Sequence, residues 1–340
     1  MNKPIILLFA LLILAFSGCN PEFDINDKYQ DITISYGILN FNDDNHYIKI
    51  YKGFLTEDNA FVAASELENT TYCDSIEVKM EEYLNNSLVR TIPLDTTTSV
   101  PREPGDFAYP KQILYYTSAT LNPQAVYKLI ITNKYTGKET YATTPLVGDI
   151  QIYTPMPGIE LNLTFGGAST ISFRVPSNAY SCEIYQHFHY IEVSKSTNEI
   201  VKRGVISRHV GNTNVTSTSE FKMGYRINTI YNTIANTLKP DNSVTRYPDG
   251  LSCIEYEIWC ADKNYSIYVD LNNPGSTSIN ENGIEHTNFM PQDGTNYGIF
   301  SSRNKVNRSY TINSRSQDSL VNGQYTKHLG FRKYHEYQPN

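Results

Sequence analysis

Apolar residues recur at every second position along most of this chain. In residues 75–84, Ile76, Val78 and Met80 alternate with Glu77, Lys79 and Glu81, the period of a strand with one buried face. Asn85, Asn86 and Ser87 make a turn, and residues 88–94 return as the hairpin partner. Residues 121–143 repeat the arrangement: Tyr127, Leu129 and Ile131 share a face, a turn containing Gly137 follows at 133–138, and 139–143 come back. Residues 32–39 and 46–55 supply two earlier strands. Roughly seven short strands within about 115 residues predict an antiparallel sandwich over residues 31–146.

Pro145, Gly148 and the run Pro155-Met156-Pro157-Gly158 mark a boundary, after which residues 147–340 read as a second β-rich domain. Strands are expected at 161–165, at 170–175 with Ile171, Phe173 and Val175 on one face, and at 182–194. A turn at 196–199 leads to a strand at 200–207, and the polar stretch 208–220 reads as a loop. One helix is predicted over 221–238, where Ile227, Ile230, Ile234 and Leu238 fall on one face and Lys239-Pro240-Asp241 ends it. Residues 251–260 look like a strand, and 261–271 fit either a short helix or a strand. The tail from Ile299 reads as strand and coil. The fold class is therefore mainly β, with a single inserted helix.

The first residues break this pattern. Lys3 is followed by a run without polar side chains from Pro4 to Phe16, closed by Ser17-Gly18-Cys19. A basic start, a short apolar core and small residues at the exit describe a secretory signal over residues 1–18. The run is shorter than the ~20 residues a permanent bilayer span needs. Residues 14–19, Leu-Ala-Phe-Ser-Gly-Cys, resemble the bacterial lipobox, although that family prefers Leu where Phe16 stands. The resemblance implies acylation of Cys19 and cleavage before it. Two or three acyl chains would hold the protein firmly, since one chain alone binds marginally. Asn20 is not the Asp associated with inner-membrane retention, so the outer membrane is expected, with residues 19–30 as a polar tether.

Losing Lys3 takes the formal net charge from −7 to −8. That disfavours nucleic acid and anionic membrane surfaces, both of which need a basic patch. Four cysteines remain: Cys73, Cys182, Cys253 and Cys260. An even count in an exported chain permits disulfides, with three possible pairings, and buried free thiols are an equal alternative. Cys253 and Cys260 would face opposite sides of one continuous strand, which argues against a bond between them.

The segments Leu94-Asp95-Thr96-Thr97-Thr98, Glu103-Pro104-Gly105-Asp106-Phe107 and Asn296-Tyr297-Gly298-Ile299-Phe300-Ser301-Ser302, with the lipobox and a lone helix, resemble a family of Bacteroidota outer-membrane lipoproteins. These carry a domain of unknown function and are often encoded beside outer-membrane transporter genes. The resemblance covers nearly the whole chain and implies a compartment and a neighbourhood, with no reaction. Residues 121–127, ending in Tyr127, resemble the tyrosine-bearing approach to a late strand of immunoglobulin-like and fibronectin-like domains. Asp74-Ser75-Ile76, Asp95-Thr96-Thr97 and Asp318-Ser319-Leu320 resemble the acceptor tripeptide of Bacteroidota O-glycosylation.

Catalytic signals are sparse. His187 and His189 sit at i and i+2 on a strand, with Glu183 and Tyr185 on the same face, so both imidazoles could reach one ion. No third ligand stands at a diagnostic spacing, and two histidines on a half-exposed strand face are the better reading, so no metal or cofactor is expected. Asn42-Asp43-Asp44-Asn45 lacks the spacing of a calcium loop and reads as a turn. Glu81-Glu82 reads as solvated charge. There is no Gly-x-Ser-x-Gly elbow and no phosphate-binding glycine loop. Carboxylate pairs for glycoside hydrolysis meet in space and not in sequence. Tyrosine is abundant, 27 against a single Trp, which suits binding surfaces but also half-buried strands. The expectation is a non-catalytic binding or accessory component of an outer-membrane transporter or surface complex, with a protein or glycan partner. A structural or adhesin-like role and a hydrolase are the alternatives.

Overall fold

The computed structural model describes residues 30–56, 59–215, 220–250, 253–272 and 286–338. The signal segment, Cys19 and all but the last residue of the tether lie outside the described residues. In the first half the alternating segments become β1 (Thr33–Leu39), β2 (His46–Lys52), two short helices α1 (Ala60–Ala64) and α2 (Leu67–Thr70), β3 (Ile76–Leu84), β4 (Ser87–Pro93), β5 (Asp95–Thr97), β6 (Leu114–Thr117), β7 (Val126–Asn133) and β8 (Glu139–Pro145). The second half contributes β9 (Gln151–Thr154), β10 (Ala168–Arg174), β11 (Ser181–Ser194), β12 (Ile200–Asn214), β13 (Glu220–Arg226), α3 (Asn228–Thr237), β14 (Val244–Pro248), β15 (Ile254–Ala261), α4 (Lys263–Asn272), β16 (Asn296–Tyr310) and α5 (Ser314–Asn322). Strand makes up 45% and helix 16%, so the chain is mainly β.

Three sheets form. The largest runs β12-β11-β15-β16-β1-β2-β6-β5, with β14 added on β11; the others are β4-β3-β7-β8 and β13-β10-β9. β4-β3-β7-β8 meets the β1-β2-β6-β5 end of the large sheet through Leu39, Ile48, Ile50, Val78, Met80, Leu129 and Ile131. Phe289 and Phe300, from far along the chain, complete that core. At the other end, β11 and β15 pack on β10 and α3 through Ile184, Phe188, Ile258, Ile171, Phe173 and Ile234.

The two ends share β16. Its first residues pair in parallel with β1, from Thr33 opposite Asn296 to Leu39 opposite Ser302. Its last ones pair antiparallel with β15, from Ala261 opposite Arg303 to Ile254 opposite Tyr310. Where the strand changes partners, polar side chains are buried and fully engaged. The Asp262 carboxylate, 3% exposed, accepts from the Ser301 hydroxyl, from Thr144 Oγ1 at 3.0 Å and from the Tyr265 amide at 2.9 Å. The last of these caps the first turn of α4, the usual task of an Asp before a helix. Ser302 Oγ donates to the Pro145 carbonyl at 2.6 Å, and Asn304 Nδ2 to that of Gly148 at 2.8 Å.

Four expectations change. The polar stretch 208–220 is not a loop as far as Asn214: β12 pairs along the whole of β11, up to Asn214 opposite Ser181. It reads as polar because it is an edge strand with little to bury. The helix expected over 221–238 begins only at Asn228, because Phe221 and Met223 pair in β13 with Phe173 and Ile171 of β10. Its apolar face is the expected one, since Ile227, Ile230, Ile234 and Leu238 are all buried. Residues 161–165 form no strand: Leu161 makes one bridge to Ile312, and the Leu163 amide donates instead to Ser316 Oγ at 2.6 Å. Glu82 is not solvated, for it faces the core, accepting from Tyr127 OH at 2.8 Å and from Arg90 Nε at 2.8 Å. The ambiguous segment is helix α4, and α5 stands in the tail, capped by Asn313.

Of the four cysteines only two pair: Cys182–Cys260 forms at directly opposite positions of β11 and β15, with Cα atoms 4.2 Å apart. Cys253 stays buried and free, its thiol pushed up to about 12 chiefly by burial. Cys73 is free and exposed.

Two stability outcomes follow. Asp262→Ala should cost about 2–4 kcal/mol in urea unfolding, because it removes a cap and leaves buried donors unpaired; a loss below 0.5 kcal/mol would mean the seam tolerates an empty acceptor. The bond Cys182–Cys260 closes a sequence separation of 78 residues. Replacing both cysteines with Ala should lower stability by roughly 2–4 kcal/mol, and a reducing agent should then have no further effect.

Candidate functional site

The outward face of β12, β11, β15 and β16 is where chemistry-bearing side chains collect. Alternation along β11 turns Glu183, Tyr185, His187 and His189 outward and buries Cys182, Ile184, Gln186 and Phe188. On β15 it turns Glu255, Glu257 and Trp259 outward. Register places Glu183 opposite Trp259, Tyr185 opposite Glu257 and His187 opposite Glu255.

At one end of this face is a groove of about 300 Å³. β11 lends it Ser181, Glu183 and Tyr185, β12 Asn212, Thr213 and Asn214, and β15 Glu257 and Trp259. α4 closes one wall with Tyr265, Ser266, Val269 and Asp270, and β16 supplies Arg303. Ser181 and Ser266 hydroxyls join across the groove at 2.6 Å. The buried Asp262 cap fixes the helix start, and so fixes Tyr265.

The groove side chains hold each other in place. Tyr185 OH donates to Glu183 Oε2 at 2.8 Å, and Trp259 Nε1 to Glu257 Oε1 at 2.6 Å. Burial, then the Glu183 bond, pushes the Tyr185 phenol up to about 12. The Arg303 guanidinium lies 4.5 Å from the Trp259 ring centre and 5.8 Å from that of Tyr265, distances at which a cation is attracted to the ring face. Lys305 approaches the same tryptophan at 4.9 Å.

His187 and His189 stand beside the groove and do not line it. His187 Nδ1 bonds Ser207 Oγ at 2.7 Å, and its Nε2 is 4.0 Å from Glu257 Oε1. His189 Nε2 is 3.0 Å from Glu255 Oε2, a carboxylate that also accepts from Asn307 Nδ2. The two rings therefore turn to different partners. Among the described residues no group of three or more His, Cys, Asp or Glu is arranged to hold a metal ion. Asn42-Asp43-Asp44-Asn45 lies in the turn between β1 and β2, where the Asn42 amide donates to Asn40 Oδ1 at 3.1 Å. Asp74, Asp95, Thr96 and Asp318 are exposed, while Ser75 and Ser319 are half-buried.

The sequence singled out Glu183 and Tyr185 but missed Trp259, Arg303, Tyr265 and Asp270. A lone Trp on an alternating strand was the available signal. The rest depends on which strands become neighbours.

No family model and no curated protein matches the chain. Among solved structures, the C-terminal globular domain of an oligosaccharyltransferase from Pyrococcus abyssi is 13% identical over 57% of this chain, with a TM-score of 0.18. β-Glucuronidase 2 of Bacteroides uniformis is 7% identical over 83% of it, with a TM-score of 0.13. The chain spans 39% and 27% of their respective lengths. Likeness at this level leaves function to be argued from the residues.

The raised Tyr185 phenol has a testable consequence. Its folded value of about 12 exceeds the ordinary value near 10, so its contribution to stability is full below pH 10 and lost as pH rises toward 12. Tyr185→Phe should therefore flatten the alkaline fall in stability over that window. Identical pH profiles for the two proteins would contradict the assignment.

Proposed function

We propose that this chain is a lipid-anchored cell-envelope protein that works by binding, as an accessory component of an outer-membrane transporter or surface complex. The observation that carries the binding role is the groove. Its carboxylates Glu183 and Glu257 are fixed by neighbouring rings, and its walls combine aromatic edges, amides and one guanidinium. Fixed acceptors beside aromatic surface suit the retention of a polar ligand.

Two further features support the setting. The signal segment with Cys19 argues for export and acylation, and the Cys182–Cys260 bond suits an oxidising compartment. The first half is read as an immunoglobulin-like sandwich. Naming β1 to β8 A, B, C, C′, D, E, F and G gives sheets A-B-E-D and C′-C-F-G, the strand orders of that class. Tyr127 near the start of strand F accepts from the Asn122 amide at 2.7 Å, as a tyrosine at that corner does.

One arrangement brings the residue types of a hydrolase together. Ser207, His187 and Glu257 follow one another across β12, β11 and β15, but with Nδ1 toward the serine and Nε2 toward the carboxylate, the reverse of a serine triad. The 4.0 Å step from His187 to Glu257 is too long for a hydrogen bond, and Trp259 already holds that carboxylate. Labelling of Ser207 by a fluorophosphonate, absent in Ser207→Ala, would replace binding by turnover.

Cys19→Ser should shift the protein from the membrane to the soluble fraction. Crosslinking in native membranes should recover an envelope partner that the Trp259→Ala, Tyr265→Ala double variant loses. Membrane retention of the serine variant would remove the anchor from this reading, and unchanged crosslinking would remove the groove.

A further inference from the structure

Arg303 is the cation of the groove, and among the described residues no carboxylate lies within 4 Å of it, although Glu183, Glu257 and Asp270 line the same space. Its polar contact is with a neutral group, the Tyr265 hydroxyl, at 3.4 Å. Two rings hold the guanidinium plane while its fork of donors keeps capacity for an acceptor. A planar carboxylate matches that fork with two parallel hydrogen bonds.

The remaining lining decides what else such a ligand carries. Three carboxylates sharing the groove with one guanidinium oppose a dianionic group such as phosphate more strongly than a monoanion, because repulsion grows with the ligand's charge. They do accept from hydroxyls. Asn212, Thr213 and Asn214 add amide and hydroxyl donors and acceptors on the opposite wall, and the aromatic edges give apolar contact. The volume, about 300 Å³, stands at the small end of ligand sites. We infer that the groove binds a hydroxylated organic monocarboxylate of the sugar-acid class, its carboxylate seated on Arg303 and its hydroxyls directed to Glu183, Asp270 and the β12 amides. This assignment of a ligand class rests on the binding role proposed above for the same groove.

Trp259 is the single tryptophan of the chain and touches Arg303, so its emission reports on this groove alone. Mature full-length protein in detergent is titrated with D-galacturonate, D-galactose and inorganic phosphate at constant ionic strength. Galacturonate should give a saturable change, with galactose and phosphate at least roughly tenfold weaker. Arg303→Ala should weaken galacturonate roughly 10- to 100-fold. Arg303→Lys, which keeps the charge without the fork, should fall between. Equal responses to galactose or phosphate would overturn the sugar-acid assignment, and that comparison needs no variant to fold. Undiminished binding by Arg303→Ala would overturn it as well. If none of the three probes binds while crosslinking still depends on Trp259 and Tyr265, the ligand class is wrong and the binding role stands. If crosslinking is also indifferent to those residues, both fall.

Discussion

A buried carboxylate must be repaid in hydrogen bonds, and in this protein that requirement falls on Asp262. Removing an ionised carboxyl from water costs several kcal/mol unless donors surround it. Ser301 of β16, Thr144 of β8 and the Tyr265 amide of α4 are those donors. Satisfying one side chain thus ties a strand of the β4-β3-β7-β8 sheet, a strand of the large sheet and the first turn of a helix to one point. An apolar residue there could pack but could not specify all three partners by direction.

β16 extends the same constraint along the chain. It lies in parallel beside β1 and antiparallel beside β15, so the core behind β1 and β2 is complete only when Phe289 and Phe300 have arrived. Contacts so distant in sequence demand loop closure before they reward it. The cross-strand bond Cys182–Cys260 shortens that search on the other side of β15. Polar groups are buried beneath the outward face too. Gln186 donates to Tyr256 OH at 3.0 Å and accepts from Arg208 Nε at 2.7 Å, and burial lowers the affinity of Arg208 for its proton. Gln186, bonded through both atoms of its amide, fixes the register of β11 against its neighbours, since a one-residue slip would bury Tyr185 and His187 instead.

The groove inherits its shape from these decisions. α4 starts where Asp262 caps it, Tyr265 stands three residues on, and Arg303 follows the partner switch of β16. Rings then hold the guanidinium while carboxylates are held by rings. A site whose members orient each other loses little freedom when a ligand enters.

Much of this was legible in residue order. Period-2 alternation located β3, β7, β10 and β11 closely, because half-buried strands must bury one face whatever their neighbours are, and the turns after β3 and β7 located their hairpin partners β4 and β8. The helical stripe of Ile227, Ile230, Ile234 and Leu238 was correct for the same reason. What failed was local pattern without burial: β12 from Arg208 to Asn214 lies on the sheet edge and carries no apolar stripe, and Phe221 to Tyr225 alternate but run into that helix. Many of the tyrosines serve the core, including Tyr127, Tyr231 and Tyr256, as their half-apolar character allows. The sequence by itself determined the mainly β class and the outward row Glu183, Tyr185, His187 and His189. Only the tertiary structure decided that β1 would pair with β16, that Cys182 would meet Cys260, and that Arg303 would stand between Trp259 and Tyr265. Strand pairing is a choice among distant partners with similar local patterns, and it is settled by contacts far apart in sequence that no local pattern encodes.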